Sequence, residues 1–225
     1  MCSRILTAMI DVVIPLRDKP SLYNDEELRY CLRSIEKYMD VRDVWIVGNP
    51  RDWLSVNWIP MGDEGTRFNS AHAKIRKACE NDHISDPFIL FNDDFFLLKP
   101  FNEFPDYYDG TLEQRIESAG GDYLSILKKS KPFSDGNNYA THTPACIDKE
   151  IFKTIPTGIA YRIAYGSRSG NKKEQMKDPK IYNKGDHFNF NEWKRGKSMF
   201  STSDFSFHYI LPQMKKLYPD KSRWE

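Results

Sequence analysis

Several features that define large classes of protein are missing from this sequence of 225 residues. No stretch approaches the ~20 consecutive apolar residues that a membrane span needs. The apolar run near the N-terminus is broken too early for a signal peptide. The four cysteines are far apart and lack the paired spacing of a zinc site or a disulfide framework. These absences predict a chain without a membrane span in a reducing, cytoplasmic setting.

The chain also lacks a strong overall charge, since its net charge is only +1. Bulk attraction to a polyanion is therefore not expected. The charge is uneven, however, because residues 161–200 hold ten lysines and arginines against four acids, which leaves +6. A local basic stretch of this kind suits either an anionic ligand or a solvated loop.

Hydrophobic patterning in the first hundred residues is regular. It predicts strands at 9–16, 44–47, 55–60, 87–91 and 95–98 and helices at 24–38 and 68–79. This alternation predicts an α/β fold with a largely parallel sheet, in which ligands bind beyond the carboxyl ends of the strands. The pattern of the second half is less regular. It predicts a short helix at 148–154, a polar loop at 167–184 and a helix-compatible segment at 205–217.

The sharpest local feature is the turn Asn92-Asp93-Asp94, which lies between two apolar strands. Two adjacent carboxylates repel each other, and partial burial makes each of them costly. A hard cation such as Mg²⁺ or Mn²⁺ would offset the repulsion and would also bind a diphosphate. The turn therefore predicts a divalent metal site, and the alternative interpretation is an Asx turn that caps the strand.

Ordered sequence blocks around this turn resemble the stealth family. The similar blocks are Ile10-Asp11-Val12-Val13, residues 27–37, Val44-Trp45-Ile46-Val47, Phe68-Asn69-Ser70-Ala71, residues 88–97 around the acidic turn, His142-Thr143-Pro144 with Asp148-Lys149, and residues 218–225. The family contains bacterial capsular-polysaccharide phosphotransferases and the lysosomal-enzyme N-acetylglucosamine-1-phosphotransferase. The resemblance covers nearly the whole chain. It implies a GT-A-like, Rossmann-type mixed sheet flanked by helices, with an irregular basic C-terminal part.

Two segments depart from the family pattern. Pro15-Leu16-Arg17-Asp18-Lys19 replaces the Trp-Val-Asp/Asn-Gly stretch of the first block, and Thr202-Ser203-Asp204 stands where the fourth block carries an Asn-Asp pair. The chain is also shorter than typical members. These departures suggest that the acceptor differs from that of typical family members, as it would in a bacteriophage-type relative.

The resemblance implies a set of donor and metal ligands. The donor contacts are expected to be Arg17, Asn69, Ser70, Asn92 and Asp93. Asp93 and Asp94, with Asp204, are expected to hold Mg²⁺ or Mn²⁺ on the diphosphate of a nucleotide-sugar donor.

The resemblance also implies a catalytic set of His142, Asp94 and Arg168. His142 is the expected general base, because the pKa of an imidazole lies near neutral pH and an acceptor hydroxyl must lose a proton. Arg168 is expected to offset charge on the transferring phosphate, and Arg162 is the alternative. A structural turn role remains the competing interpretation of His142.

The implied function is metal-dependent transfer of a sugar or a sugar 1-phosphate from a nucleotide-diphosphate sugar to an acceptor hydroxyl, with a glycan as the expected acceptor. One alternative is a bacteriophage-type glycosyltransferase that acts on a hydroxylated base in DNA, which the basic residues 161–200 favour. Another is a non-catalytic module that binds a nucleotide sugar or a glycan. A single domain over 1–225 is expected, with donor and metal sites in 1–100 and acceptor and catalytic groups in 101–225.

Overall fold

The computed structural model describes residues 10–49, 51–101, 103–177, 180–181, 197–203 and 205–225. The strands in this part of the chain are β1 (Val12–Pro15), β2 (Val44–Val47), β3 (Asn57–Ile59), β4 (Phe88–Leu90), β5 (Phe95–Leu97), β6 (Asp106–Tyr108), β7 (Ala145–Ile147), β8 (Lys173–Gln175), β9 (Lys180–Ile181) and β10 (Met199–Thr202). The helices are α1 (Glu26–Tyr38), α2 (Arg67–Cys79), α3 (Leu112–Ser118), α4 (Gly121–Ser130), α5 (Lys149–Lys153), α6 (Tyr161–Arg168) and α7 (Phe207–Leu217).

A five-stranded sheet in the order β3-β2-β1-β4-β7 organises the molecule. The first four of these strands are parallel to their neighbours, and β7 pairs antiparallel with β4. The predicted α/β fold with a mostly parallel sheet flanked by helices is confirmed, and it is consistent with a Rossmann-like GT-A fold. The strand order reverses between β1 and β4, so a ligand is expected beyond the carboxyl ends of these two strands.

The apolar strand β1 explains why both faces of the sheet are covered. Val12 and Ile14 lie in a core cluster with Leu32 of α1, whereas Val13 lies in a second cluster with Ile75 of α2. Successive side chains of a strand point to opposite faces. A strand that is apolar at every position therefore buries its residues only when helices pack on both sides.

The chain leaves the main sheet after β4 and enters a second sheet at β5. This second sheet has the order β5-β10-β9, with β10 antiparallel to β5 so that Ser201 lies opposite Phe95. The acidic turn is thus the connection between two sheets, and the carboxyl end of β10 lies beside it.

The basic segment, residues 161–200, forms an ion pair with a buried carboxylate near its beginning. Strand β8 pairs in parallel with β6, and the Lys173 ammonium lies 3.0 Å from a carboxylate oxygen of Asp106. Burial raises the pKa of Asp106, although hydrogen bonds from Ser169 and the charge of Lys173 oppose this shift. The prediction of a loop over 167–184 is wrong for residues 167–168, which end α6, and for β8 and β9. The two strands form by pairing with β6 and β10, which lie outside that segment in the sequence.

The cysteines only partly follow the sequence expectation. Cys31 and Cys79 are buried free thiols, but Cys146 is disulfide-bonded, so wide spacing along the chain did not exclude a bridge. Among the described residues, no helix has both the length and the apolar composition that a membrane span requires.

Candidate functional site

A cleft of about 420 Å³ opens at the carboxyl ends of β1 and β4. It is lined by Pro15, Leu16, Arg17, Asp63, Gly65, Arg67, Ser70, Ala71, Lys74, Asn92, Asp93 and Tyr161. Four of the five predicted donor contacts, Arg17, Ser70, Asn92 and Asp93, therefore line one cleft. The fifth, Asn69, is exposed in the first turn of α2, where its amide N–H donates to Thr66 Oγ1 at 3.4 Å.

Backbone hydrogen bonds hold the acidic turn at the edge of this cleft. The Phe95 amide N–H donates to the Asn92 carbonyl at 3.3 Å, and the Thr202 amide N–H donates to the Asp94 carbonyl at the same distance. The Cys31 thiol also donates to the Asn92 carbonyl, with 3.4 Å between sulfur and oxygen. Burial, reinforced by the charges of Asp93 and Asp94, raises the pKa of the Cys31 thiol.

The chemistry around the turn fits a hard divalent cation. Asp93 and Asp94 supply carboxylates, and Mg²⁺ commonly uses one or two protein carboxylates together with substrate phosphates and water. In the described part of the chain, the buried hydroxyl oxygens of Ser201 and Thr202 beside the turn have no hydrogen-bond partner. The same part contains no cluster of three His, Cys, Asp or Glu side chains, and Asp204, the predicted third ligand, lies outside it.

Two predicted catalytic groups meet at the residue that follows Asp94. The His142 ring lies edge-on to the Phe95 ring, with 6.4 Å between the centroids. The Arg162 guanidinium lies over the same ring, 5.7 Å from its centroid. The fold thus brings an imidazole and a guanidinium from the second half of the chain to the acidic turn of the first half.

The loop that carries His142 is held by the residues on either side of it. The Thr141 and Thr143 hydroxyl oxygens are 2.9 Å apart, and the Thr141 hydroxyl donates to the Tyr107 carbonyl at 3.2 Å. Arg162 Nη1 donates to the Thr143 carbonyl at 2.8 Å, while its buried Nη2 atom makes no hydrogen bond in the described structure. Arg162 therefore positions the loop with one nitrogen and keeps another available for an anion.

Arg168, the preferred arginine of the sequence prediction, lies elsewhere. It is at the other end of α6 from Arg162, and six residues of helix correspond to about 9 Å along the axis. Its exposed guanidinium donates to the Thr154 carbonyl at 3.1 Å and lies over Phe133. Its catalytic role stays a prediction that this position does not favour, whereas the alternative, Arg162, lies at the site.

Sequence reasoning missed Lys74, a buried cation in the floor of the cleft. Its side chain is 2% exposed, and its ammonium contacts the Leu16 carbonyl at 2.7 Å and an Asp63 carboxylate oxygen at 2.5 Å. Leu16 belongs to the segment after β1 and Asp63 to the segment before α2. Lys74 therefore ties together the two segments that form one wall of the cleft.

Asp63 completes this wall and engages a predicted donor contact. It accepts hydrogen bonds from the Ser70 hydroxyl at 2.7 Å and from the Asp18 amide N–H at 3.0 Å. Burial alone would raise the pKa of Asp63, but the hydrogen bonds from Asp18, Lys74 and Ser70 lower the pKa to about 2. In the sequence, this network of Lys74, Ser70 and Asp63 was indicated only by the position of Lys74 one helical turn after Ser70 in α2.

Gly48 marks how closely the segments approach each other behind the cleft. A Cβ atom at this residue would lie 2.3 Å from the Leu16 carbonyl oxygen, the same oxygen that accepts from Lys74. Any larger residue would push the segment after β1 out of place.

The chain is similar to capsular polysaccharide phosphotransferase SacB of Neisseria meningitidis serogroup A, including the serotype 4A protein. The identity is 28% over 200 aligned positions, which cover 83% of this chain. The chain spans about a third of the length of these curated relatives, since the alignment covers 35% of them. No protein-family model matches the chain. The similarity agrees with the stealth-like pattern of sequence blocks.

Proposed function

We propose that this chain is a stealth-like transferase that moves a sugar 1-phosphate from a nucleotide-diphosphate sugar to a hydroxyl group of a glycan. The observation that carries the proposal is the contact of His142 and Arg162 with Phe95, the residue directly after an acidic turn whose Asn92 and Asp93 line the cleft. The similarity to a capsular polysaccharide phosphotransferase supports phosphate transfer over transfer of the sugar alone.

In the proposed reaction, the acceptor oxygen attacks the phosphorus atom that carries the sugar. The bond from this phosphorus to the bridging oxygen breaks, and a nucleoside monophosphate leaves. His142 takes the proton of the acceptor hydroxyl, since its imidazole lies against Phe95, directly after the acidic turn. The free Nη2 atom of Arg162 donates to the phosphoryl oxygens as negative charge builds on them.

The donor is expected to occupy the 420 Å³ cleft. Asp93 and Asp94 would hold Mg²⁺ or Mn²⁺ there, and the cation would neutralise charge on the diphosphate. Arg17 would contact the phosphates from the segment after β1, which Lys74 holds in place. Ser70 acts in this scheme by fixing Asp63, since its hydroxyl donates to that carboxylate.

The DNA-modifying alternative gains no support from the described part of the basic segment. Lys172 lies 3.3 Å from a carboxylate oxygen of Glu174, and Lys173 is paired with Asp106. Lysines that are already paired with carboxylates contribute less to phosphate binding. Residues 182–196 of this segment lie outside the described structure.

The decisive test is the identity of the released nucleotide. The protein is incubated with a panel of nucleotide sugars, Mn²⁺ or Mg²⁺ and glycan acceptors, and the products are separated by ion-exchange chromatography. We expect a nucleoside monophosphate and a phosphorylated glycan. Release of a nucleoside diphosphate would instead identify a glycosyltransferase, and donor binding without any turnover would identify a binding module.

The variant Asp94→Asn tests the acidic turn in the same assay. It keeps the size of the side chain but removes a charge that the cation needs, so we expect loss of activity with an unchanged fold. Asp82→Asn is the matched control, because Asp82 is exposed on a distant loop. Full activity of Asp94→Asn, or of the unaltered protein in excess chelator, would contradict metal use at this turn.

A further inference from the structure

A row of two arginines and two aromatic rings runs along the surface away from the donor cleft. The Arg67 guanidinium lies over the Phe68 ring, 4.7 Å from its centroid. Phe68 stacks on Tyr123 with 5.1 Å between the centroids and 17° between the planes. Arg115 lies over Tyr123 at 5.4 Å. These four residues are called the arginine ridge below.

The arginine ridge joins two concave surfaces. Arg67 lines the donor cleft, and Arg115 lines a second groove of about 240 Å³. The groove is also lined by Asp109, Gly110, Gln114, Ser118, Asn138, Ala140 and Thr141. Thr141 directly precedes His142, so the groove borders the loop that carries the proposed base. Burial raises the pKa of Tyr123, while the charges of Arg115 and Arg162 oppose that shift, which places both guanidiniums near this ring.

The two arginines of the ridge are beside concave surfaces and have no neutralising carboxylate in the part of the chain that the structure describes. Neither Arg67 nor Arg115 forms an ion pair within the described residues, and both keep their charge beside a groove. Stacking on an aromatic ring fixes the plane of a guanidinium and leaves its N–H groups free at the edge. Such a fork matches the oxygen atoms of a phosphate.

From these observations we infer that the arginine ridge and the second groove form the acceptor subsite, and that they bind a glycan unit carrying a phosphate group. The inference rests on the proposed function. A groove of about 240 Å³ is smaller than the sites that hold drug-sized ligands, roughly 300–1,000 Å³, and suits about one sugar residue. Arg115 would contact the phosphate, and the Asp109 carboxylate would accept hydrogen bonds from hydroxyl groups.

The same geometry disfavours a nucleic acid as the ligand. Proteins that hold single-stranded nucleic acid stack its bases on open aromatic faces. In the arginine ridge, Phe68 and Tyr123 stack on each other, and the Arg67 and Arg115 guanidiniums also lie over these two rings. The ridge therefore presents guanidinium edges rather than stacking faces.

A direct binding experiment tests the subsite without any turnover. Fluorescently labelled trisaccharides of glucose, mannose and N-acetylglucosamine, each with and without one phosphate group, are titrated by anisotropy, with a DNA duplex and a single-stranded DNA for comparison. We expect at least one phosphorylated trisaccharide to bind more tightly than its unphosphorylated form. Arg115→Gln should weaken that binding roughly tenfold or more, since charge-assisted hydrogen bonds to phosphate are lost.

Matched variants separate a local contact from a general charge effect. Arg76→Gln removes the same charge from α2 at a position outside both concave surfaces and should leave binding unchanged. Arg115→Lys keeps the charge but not the fork, so partial recovery is expected. Thermal unfolding of each variant verifies that the fold is intact.

Any of three results would contradict the proposed subsite. They are binding that does not depend on phosphate for any trisaccharide, an equal loss of affinity in Arg76→Gln and Arg115→Gln, and tighter binding of DNA than of every phosphorylated glycan. Hydrolysis of the donor without acceptor separates the two proposals. It should require Asp94 and should be unaltered in the control variant Arg76→Gln. Absence of nucleotide release with intact phosphate-dependent binding would refute the transferase and keep the subsite, and the reverse pattern would refute the subsite alone.

Discussion

Two regions of this protein differ in whether their arginines pair with carboxylates. Around the closing segment, defined here as residues 218–225, arginines pair with carboxylates: Arg33 lies 2.7 Å and Arg29 lies 3.4 Å from Glu225. Around the cleft and the second groove, Arg67, Arg115 and Arg162 have no carboxylate partner among the described residues. A paired charge contributes to the fold, whereas an unpaired charge beside a cleft is available to an anionic ligand.

The closing segment shows what the paired group does. Ser222 donates to Glu225 through its amide N–H at 3.1 Å and through its hydroxyl at 3.2 Å, and the Trp224 carbonyl accepts from Ser55. Burial would raise the pKa of Glu225, but hydrogen bonds from Arg33 and Ser222 lower it. The serine and glutamate that resemble the family's last block therefore attach the segment to α1. The resemblance of residues 218–225 to the family's last block is therefore explained by contacts that hold the fold together, and none of these described residues lines the cleft.

The largest effect is expected on the cleft side, from His142→Ala. If His142 is the general base, turnover should fall by roughly 10²–10⁴-fold. Donor affinity and the melting temperature should change little, because the ring is half-buried against Phe95 rather than in the core. Steady-state kinetics with saturating donor measure this. A variant with unaltered turnover would show that another group accepts the proton.

The closing segment should give the opposite pattern, a loss of stability without a loss of chemistry. Arg33→Ala leaves the Glu225 carboxylate, whose side chain is 1% exposed, without its main partner. We expect the free energy of unfolding to fall by about 3 kcal/mol, as for other broken buried pairs. Urea denaturation measures the change, and activity per folded molecule should stay within about twofold.

Arg223→Ala is the control within the same segment. Its ion pair with Glu36 is largely exposed, so its loss should cost less than about 1 kcal/mol. Equal destabilisation by Arg33→Ala and Arg223→Ala would show that the burial of an arginine–carboxylate pair does not predict its contribution to stability.

A change of pH between 7 and 5 should act outside the closing segment, because residues 218–225 contain no histidine and the pKa of Glu225 is lowered from its ordinary value. His72 of α2 is 1% exposed with both ring nitrogens unbonded, and burial, helped by the charge of Arg76, lowers its pKa to about 4. The unfolded chain takes up this proton near pH 6.5, so stability falls as the pH drops from 6.5 towards 4. The loss should reach about 3 kcal/mol at pH 4.

His72→Phe should remove most of this pH dependence, since a phenyl ring fits beside Phe152 and carries no proton. His83→Gln is the control, because His83 is exposed. Urea denaturation at pH 4, 5, 6 and 7 distinguishes them. Parallel curves for His72→Phe and the unaltered protein would show that other groups cause the acid sensitivity.

The smallest effect is expected from Arg168→Gln. Its guanidinium is exposed and bonded to the Thr154 carbonyl, so the change should alter stability by less than about 0.5 kcal/mol and turnover by less than about twofold. Arg162→Gln should lower turnover at least tenfold in the same assay. A larger loss of turnover with Arg168→Gln than with Arg162→Gln would support Arg168 as the arginine that offsets charge on the phosphate.

The main sheet was predictable because its signals are local. The pattern at 44–47 predicted β2 with the bounds that it has, and the apolar spacing of α1 and α2 placed both helices within two residues. The second half was harder, since β6, β7 and β8 have three residues each and form only by pairing with distant partners. The boundary between donor and acceptor halves at residue 100 stays a prediction, and β7 of the second half pairs with β4 of the first.

By itself, the sequence determined the parallel sheet and the position of the acidic turn at the end of a buried strand, because hydrophobic period and turn chemistry act between neighbours in the chain. Only the tertiary structure decided which basic groups reach that turn. Arg162 contacts Phe95 and Arg168 does not, although they share one helix, and Lys74 reaches Leu16 and Asp63 from the middle of another. These contacts join segments that only packing brings together, so no local pattern encodes them.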